Sequence, residues 1–148
     1  MRSLLPRFWF VIAAFTLVAG VFAQSPWLSN GMVTVIFAGL PGIAMAAIAN
    51  LTIAVIYMLM LRTTSDGKVV LFGWVHAWTY IAAKLAETWM TYDRNSTVVS
   101  GERIVPQDLI LQAGAQSVFF ALATLSFLAA AICAYQDCRR TIDIKQFD

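Results

Sequence analysis

The sequence predicts an all-α integral membrane protein: a bundle of four transmembrane helices with both termini on the cytoplasmic side. Three observations predict it. Of the 148 residues, 60% are hydrophobic and only 12% are charged, and a mean hydropathy of +0.75 leaves too little polar surface to coat a soluble domain. Residues 8–61 contain no charged side chain, a run more than twice the ~20 residues that cross the hydrocarbon once. Lysine and arginine gather at the ends of the apolar runs, and such clusters are retained on the cytoplasmic side.

The first span covers residues 8–24, approximately, behind Arg2 and Arg7. Polar and turn-forming residues from 24 to 31, with Trp27 suited to the interface, break the long run and form a short outer turn. The second span follows over about 35–61, where Pro41 predicts a kink or a helix start. Arg62 and Lys68 flank the next turn, the third span runs over about 69–92, and the charge-free fourth over about 109–136 ahead of Arg139, Arg140 and Lys145. Residues 93–108 form the only sizeable outer loop. Read as a whole, the 148 residues make one four-span domain with no room for a soluble catalytic unit. Residues 1–23 also read as a signal peptide, with a basic start, an apolar core and Val21, Phe22 and Ala23 before Gln24.

Two kinds of helix face stand out. In the second span Ala38, Gly42, Ala46, Asn50 and Ala54 recur every fourth residue. In lipid, where apolar burial no longer drives association, such a stripe allows close backbone approach and Asn50 can hydrogen-bond across helices. Ala113, Ser117 and Ala121 in the fourth span, with Thr16 and Gly20 in the first, are expected to meet it. The bland alternative is an Ala-rich helix with chance spacing.

The third span carries His76, Lys84 and Glu87 in an otherwise apolar segment. With His76 at 0°, Tyr80, Lys84 and Glu87 fall near about 40°, 80° and 20°, so the four share one face. Leu71, Trp74, Trp78, Ile81, Leu85 and Trp89 fall opposite and are expected to meet lipid. Ionisable groups inside a membrane point to a proton or ion path. A simpler reading pairs Lys84 with Glu87, three residues apart near the outer end, where lysine snorkels to the headgroups.

The remaining chemistry is sparse. Cys133 and Cys138 stand in no metal-binding spacing, and a single histidine without a second ligand points to no cofactor. Cys138, beside Arg139 and Arg140 just past an apolar run, suits reversible palmitoylation as well as it suits an inert thiol. Asn95-Ser96-Thr97 is a glycosylation sequon expected in the outer loop, whereas Asn50-Leu51-Thr52 lies inside a span. No nucleophile constellation, phosphate loop or carboxylate pair indicates an enzyme, and the small net charge of +2 argues against nucleic-acid binding.

Over nearly its whole length the chain resembles the MARVEL-domain tetraspans, in particular the branch of MAL and plasmolipin proteolipids. The likeness rests on Leu5-Pro6 at the first span, Ser25-Pro26-Trp27 in the outer turn and Tyr80-Ile81-Ala82-Ala83 with Glu87 in the third span. In the fourth span it rests on Val118-Phe119, the run from Leu122 to Leu125, and Phe127. Lys84 departs from that pattern. The resemblance implies a non-enzymatic protein of the plasma or vesicle membrane that associates with lipids and other membrane proteins, itself included. Its implied role is to organise membrane domains, vesicle traffic or cell contacts. The alternatives are a small proton- or ion-coupled transporter or channel using the third-span charges, and an accessory subunit of a larger membrane complex.

Overall fold

The computed structural model describes residues 1–29, 33–101 and 106–145, the side chains of 33–38, 106 and 143–145 excepted. The described residues form helices without a strand: α1 (Leu4–Ala23), α2 (Ser25–Ser29), α3 (Val33–Thr63), α4 (Gly67–Ser100) and α5 (Pro106–Lys145). Four of them, α1, α3, α4 and α5, are long and apolar enough to cross a membrane. The five-residue α2 fills the turn after the first span. Pro41 lies inside α3 rather than at its start, and proline has no N–H to give to the preceding turn.

Local chemistry sets the ends of α4. Asp66 stands in extended conformation ahead of it and its side chain accepts from the Lys68 N–H at 2.9 Å, satisfying one of the orphan donors of a helix start. Gly101 ends the helix at φ 73°, with its N–H donating to Thr97 O at 2.9 Å. Only a residue free of a Cβ penalty takes that left-handed cap easily. The loop expected over 93–108 is therefore mostly helix up to Ser100, and Glu102 and Arg103 lie outside the described residues.

Hydrogen bonds between helix ends establish an up-down-up-down order. Arg2 Nη2 donates to Leu61 O at 2.6 Å, placing a cation on the carbonyl end of α3, where such charges are stabilising. Asp137 Oδ2 accepts from Thr64 Oγ1 at 2.5 Å and from the Ser65 N–H at 2.8 Å, fastening the α3–α4 turn to α5. The start of α1, this turn and the C-terminal part of α5 thus share one end, the terminal end. At the far end Asn95 Nδ2 donates to Ala23 O at 2.7 Å, and Gln112 Nε2 to Asp93 Oδ2 at 2.7 Å.

Around the bundle the order is α3, α1, α4, α5: α4 packs along α5, α1 along α3, and α1 against α4, whereas α3 meets α4 and α5 only sparsely. Two glycines permit the closest approaches. A Cβ at Gly73 would overlap Leu5 Cδ2, and one at Gly20 would stand 2.8 Å from Ile43 Cγ1. Large apolar side chains such as Phe10, Val18, Leu71, Trp78, Trp89, Leu125 and Ile132 are exposed on the outside. In a bilayer that surface meets lipid rather than water.

Candidate functional site

The third-span face organises the interior of the bundle. His76 and Tyr80 are buried, whereas the side chains of Lys84 and Glu87, one and two turns further on, are 20% and 40% exposed. Opposite them Leu71, Trp78, Leu85 and Trp89 are exposed. Two residues expected on that outer side are corrected: Trp74 packs on Phe8 of α1 with centroids 5.1 Å apart, and Ile81 is half-buried against the core. A helical wheel cannot foresee that α1 covers part of this flank.

His76 lies where all four spans meet. Its Nδ1 is 2.8 Å from Tyr57 Oη of α3, with donor and acceptor set by the imidazole tautomer. Trp9 of α1, fully buried, stands 4.6 Å from the imidazole and 5.4 Å from Tyr80 between centroids. Phe127 of α5 closes the group at 5.2 Å from His76 and edge-on to Tyr57 at 6.0 Å. Tilted and edge-to-face contacts of this kind are attractive beyond their area. Trp9, Tyr57 and Phe127 are missed by a reading confined to polar residues. A signal for Trp9 exists in the spacing of Leu5, Trp9, Ile12, Thr16, Ala19 and Ala23, all buried on one face of α1.

One turn or more toward the far end the bundle is less filled. A cavity of ≈ 210 Å³ lies between α1, α3 and α4, with Lys84, Glu87, Thr88 and Thr91 on one wall and Gly20, Gly42, Ile43 and Ala46 among the residues facing them. Lys84 Nζ donates to Glu87 Oε2 at 2.6 Å and lies 5.9 Å from the centre of the Tyr80 ring. A partly exposed pair three residues apart in a helix contributes about 0.2–0.5 kcal/mol in water, so it opens readily where water reaches it. A wider cavity of ≈ 970 Å³, sharing Gln24, Gly39 and Thr91 with the first, continues to Trp27, Arg94 and Val98 at the far end. A third, of ≈ 190 Å³, lies between α3, α4 and α5 beside His76, Ile53 and Phe120.

The small-residue stripes require correction. Of the described stripe residues on α3 only Asn50 and Ala54 are fully buried; Asn50 Nδ2 donates to Thr16 Oγ1 at 2.8 Å, and the Thr16 hydroxyl donates to Ile12 O at 2.9 Å. Ala46 is half-buried at the cavity, Gly42 is exposed with nothing within 4 Å of a Cβ built on it, and the Ala38 side chain lies outside the described residues. Ala113, Ser117 and Ala121 are exposed on α5 and do not meet α3. The inward face of α5 instead carries Ala123, Phe127, Ala130 and Ala134. Alanine is tolerated by lipid and by helix interfaces alike, so four-residue spacing alone selects neither.

Asn95 is likewise corrected from an outer loop to the interior of α4. It is 9% exposed, and its Nδ2 is committed to Ala23 O and, at 3.3 Å, to Gln24 Oε1, so the folded protein does not present the sequon nitrogen to a glycosylating enzyme. Cys133 and Cys138 are free thiols of intermediate exposure. Among the described residues no three His, Cys, Asp or Glu side chains come together. Comparison of the chain with protein-family models, with curated proteins and with solved structures finds no match.

Proposed function

We propose that this protein is a non-enzymatic tetraspan that organises membrane domains, vesicle traffic or cell contacts by lateral association with lipids and other membrane proteins. This is the role implied by its resemblance to MARVEL-domain proteolipids, and a plasma or vesicle membrane is its proposed site. The observation that carries the reading is the layer of Trp9, Tyr57, His76, Tyr80 and Phe127, drawn from all four spans. A carrier needs polar groups continuing from one end to the other. Here the Lys84–Glu87 cavity stops on the far-end side of that aromatic layer.

In the proposed orientation both termini and the turn containing Thr64 are cytoplasmic, from the distribution of lysine and arginine. A probe that does not cross membranes, applied to intact cells with single cysteines in a background lacking Cys133 and Cys138, is expected to label residue 99 and not residue 65. Labelling of residue 65 refutes the orientation.

A second reading, a proton- or ion-coupled carrier, draws on the polar wall at Lys84 and Glu87. Reconstituted vesicles separate the two. The organiser reading expects no proton or ion flux above that of protein-free vesicles, together with reproducible lipid and protein co-purification in mild detergent. Flux abolished by Glu87→Gln in a well-folded protein would overturn it.

A further inference from the structure

The geometry points to a specific ligand for the cavity between α1, α3 and α4: the headgroup of a zwitterionic phospholipid with a primary amine, its phosphate on Lys84 and its ammonium on Glu87. This deepens the organiser reading and rests on it only in taking lipids as ligands.

The charged pair has a direction. Lys84 lies deeper in the span and Glu87 about one turn nearer the far end, as their order along α4 requires. A phosphoethanolamine headgroup, entering from the leaflet at that end with its chains still in the hydrocarbon, has the same order: phosphate toward the glycerol and ammonium toward water. Cation therefore meets phosphate and anion meets amine along a single axis. Reversing either residue would set like charges together.

The surroundings of the pair select within the zwitterionic class. Thr88 and Thr91 stand on the same wall and Gln24 on the α1 side. Thr88 Oγ1 already donates to Lys84 O at 2.7 Å, which leaves its lone pairs to accept from an ammonium. A primary ammonium has three N–H donors and can use a carboxylate and a hydroxyl oxygen together. Choline has none, and quaternary ammonium groups are held instead by aromatic cages. Among the described residues lining this cavity none is aromatic. A serine headgroup would add a carboxylate facing Glu87.

Size and access agree with the assignment. At ≈ 210 Å³ the cavity holds a headgroup and not a whole lipid, and the exposed Gly42 on its α3 side leaves space for the glycerol and first methylenes. Lys84 and Glu87 need only part from each other, and both side chains already line the cavity.

The experiment is native mass spectrometry of the full chain released from nanodiscs. The probes are dioleoyl phosphatidylethanolamine, its monomethyl and dimethyl derivatives, phosphatidylcholine and phosphatidylserine, all with the same chains. Retention is expected to fall with each methyl group and to be about tenfold weaker for choline than for ethanolamine, the effect of losing one charge-assisted hydrogen bond. Glu87→Gln is expected to abolish the preference for ethanolamine over choline, and Lys84→Met to weaken both. If either variant fails to fold, the methylation series on the wild-type chain still decides. Soluble phosphoethanolamine at the same concentration is expected not to displace the lipid; displacement would show that a free headgroup suffices and would overturn the lipid assignment. Equal retention of ethanolamine and choline lipids, or strongest retention of the serine lipid, overturns the proposal. Those outcomes leave the organiser reading standing, since its own tests are flux and co-purification, neither of which depends on the ethanolamine preference.

Discussion

The two halves of this bundle are built by different rules. At the terminal end, helices are fastened side chain by side chain, Leu5 against Gly73, Tyr57 on His76, Arg2 on Leu61 O and Asp137 on the α3–α4 turn, with one small cavity on the α5 side of His76. At the far end α1 is still held, to α3 where Gly20 meets Ile43 and to α4 through Asn95, but a Cβ on Gly42 would meet nothing and cavities open between α3 and α4. In lipid, where apolar area gains nothing by turning inward, dispersion contacts and interhelical hydrogen bonds must hold helices together. Where α3 faces α4 at the far end no such contact closes the gap, and the bundle is free to admit something else.

A glycine from each half gives the sharpest test. Gly73→Leu would drive a side chain into Leu5 and Tyr57, and overpacking of this kind typically destabilises by about 1–3 kcal/mol; we expect the upper part of that range and a marked loss of monodisperse yield. The matching change in the open half, Gly42→Leu, should shift stability by no more than about 0.5 kcal/mol. Thermal melting in detergent checks both, and equal losses would erase the distinction between the halves.

Next in size is Tyr57→Phe, which deprives His76 Nδ1 of its partner in a buried layer and should destabilise by about 1–2 kcal/mol. His76→Leu in the same background should recover part of that loss, because a pair of apolar residues leaves no polar atom stranded. Steric trapping of the two singles and the double measures the coupling. Strict additivity would mean that the tyrosine and histidine do not act together.

In the open half the analogous pair should be weaker. Lys84→Met or Glu87→Gln alone leaves a charge without its partner beside the cavity, with an expected loss of about 1 kcal/mol, and the double variant should regain much of it. The loss stays small because both groups line a cavity with room for water. If either single change proves as damaging as Gly73→Leu, the far half is as tightly sealed as the terminal half.

Smallest of all should be Asp137→Asn, which keeps an acceptor oxygen for Thr64 and Ser65 and changes only its charge. About 0.5 kcal/mol is expected, with faster amide exchange confined to the α3–α4 turn. Exchange that quickens throughout α5 would show that this one carboxylate supports the whole helix.

The four spans were legible because length and hydropathy are properties of a segment taken alone. So was the polar side of α4, since one helix with four polar groups on an arc needs no partner to define its face. Neighbours were not legible. Gly42 and Gly73 look alike in a sequence, and only the position of Leu5 makes one of them indispensable. Asn95 shows a different limit: a sequon reads as loop because sequons favour loops, yet its amide closes the far end of the bundle against α1. The cavity beside Lys84 and Glu87 belongs to three helices at once, and no single segment announces it.

Helix length has a further consequence. α1 has 20 residues and α4 and α5 have 34 and 40, so α1 spans about 30 Å and matches an average hydrocarbon thickness with nothing to spare. The longer helices can tilt or project to suit a thicker bilayer; α1, tied at Arg2 to α3 and at Ala23 to α4, cannot. The shortest of the four spanning helices thereby acts as a gauge. Membranes differ in thickness by several Å between compartments, and mismatch sorts proteins among them. In vesicles of graded acyl-chain length the protein should be most stable where the hydrocarbon is about 30 Å thick, and lengthening α1 by a turn of leucines ahead of Ala23 should move that optimum to a thicker bilayer.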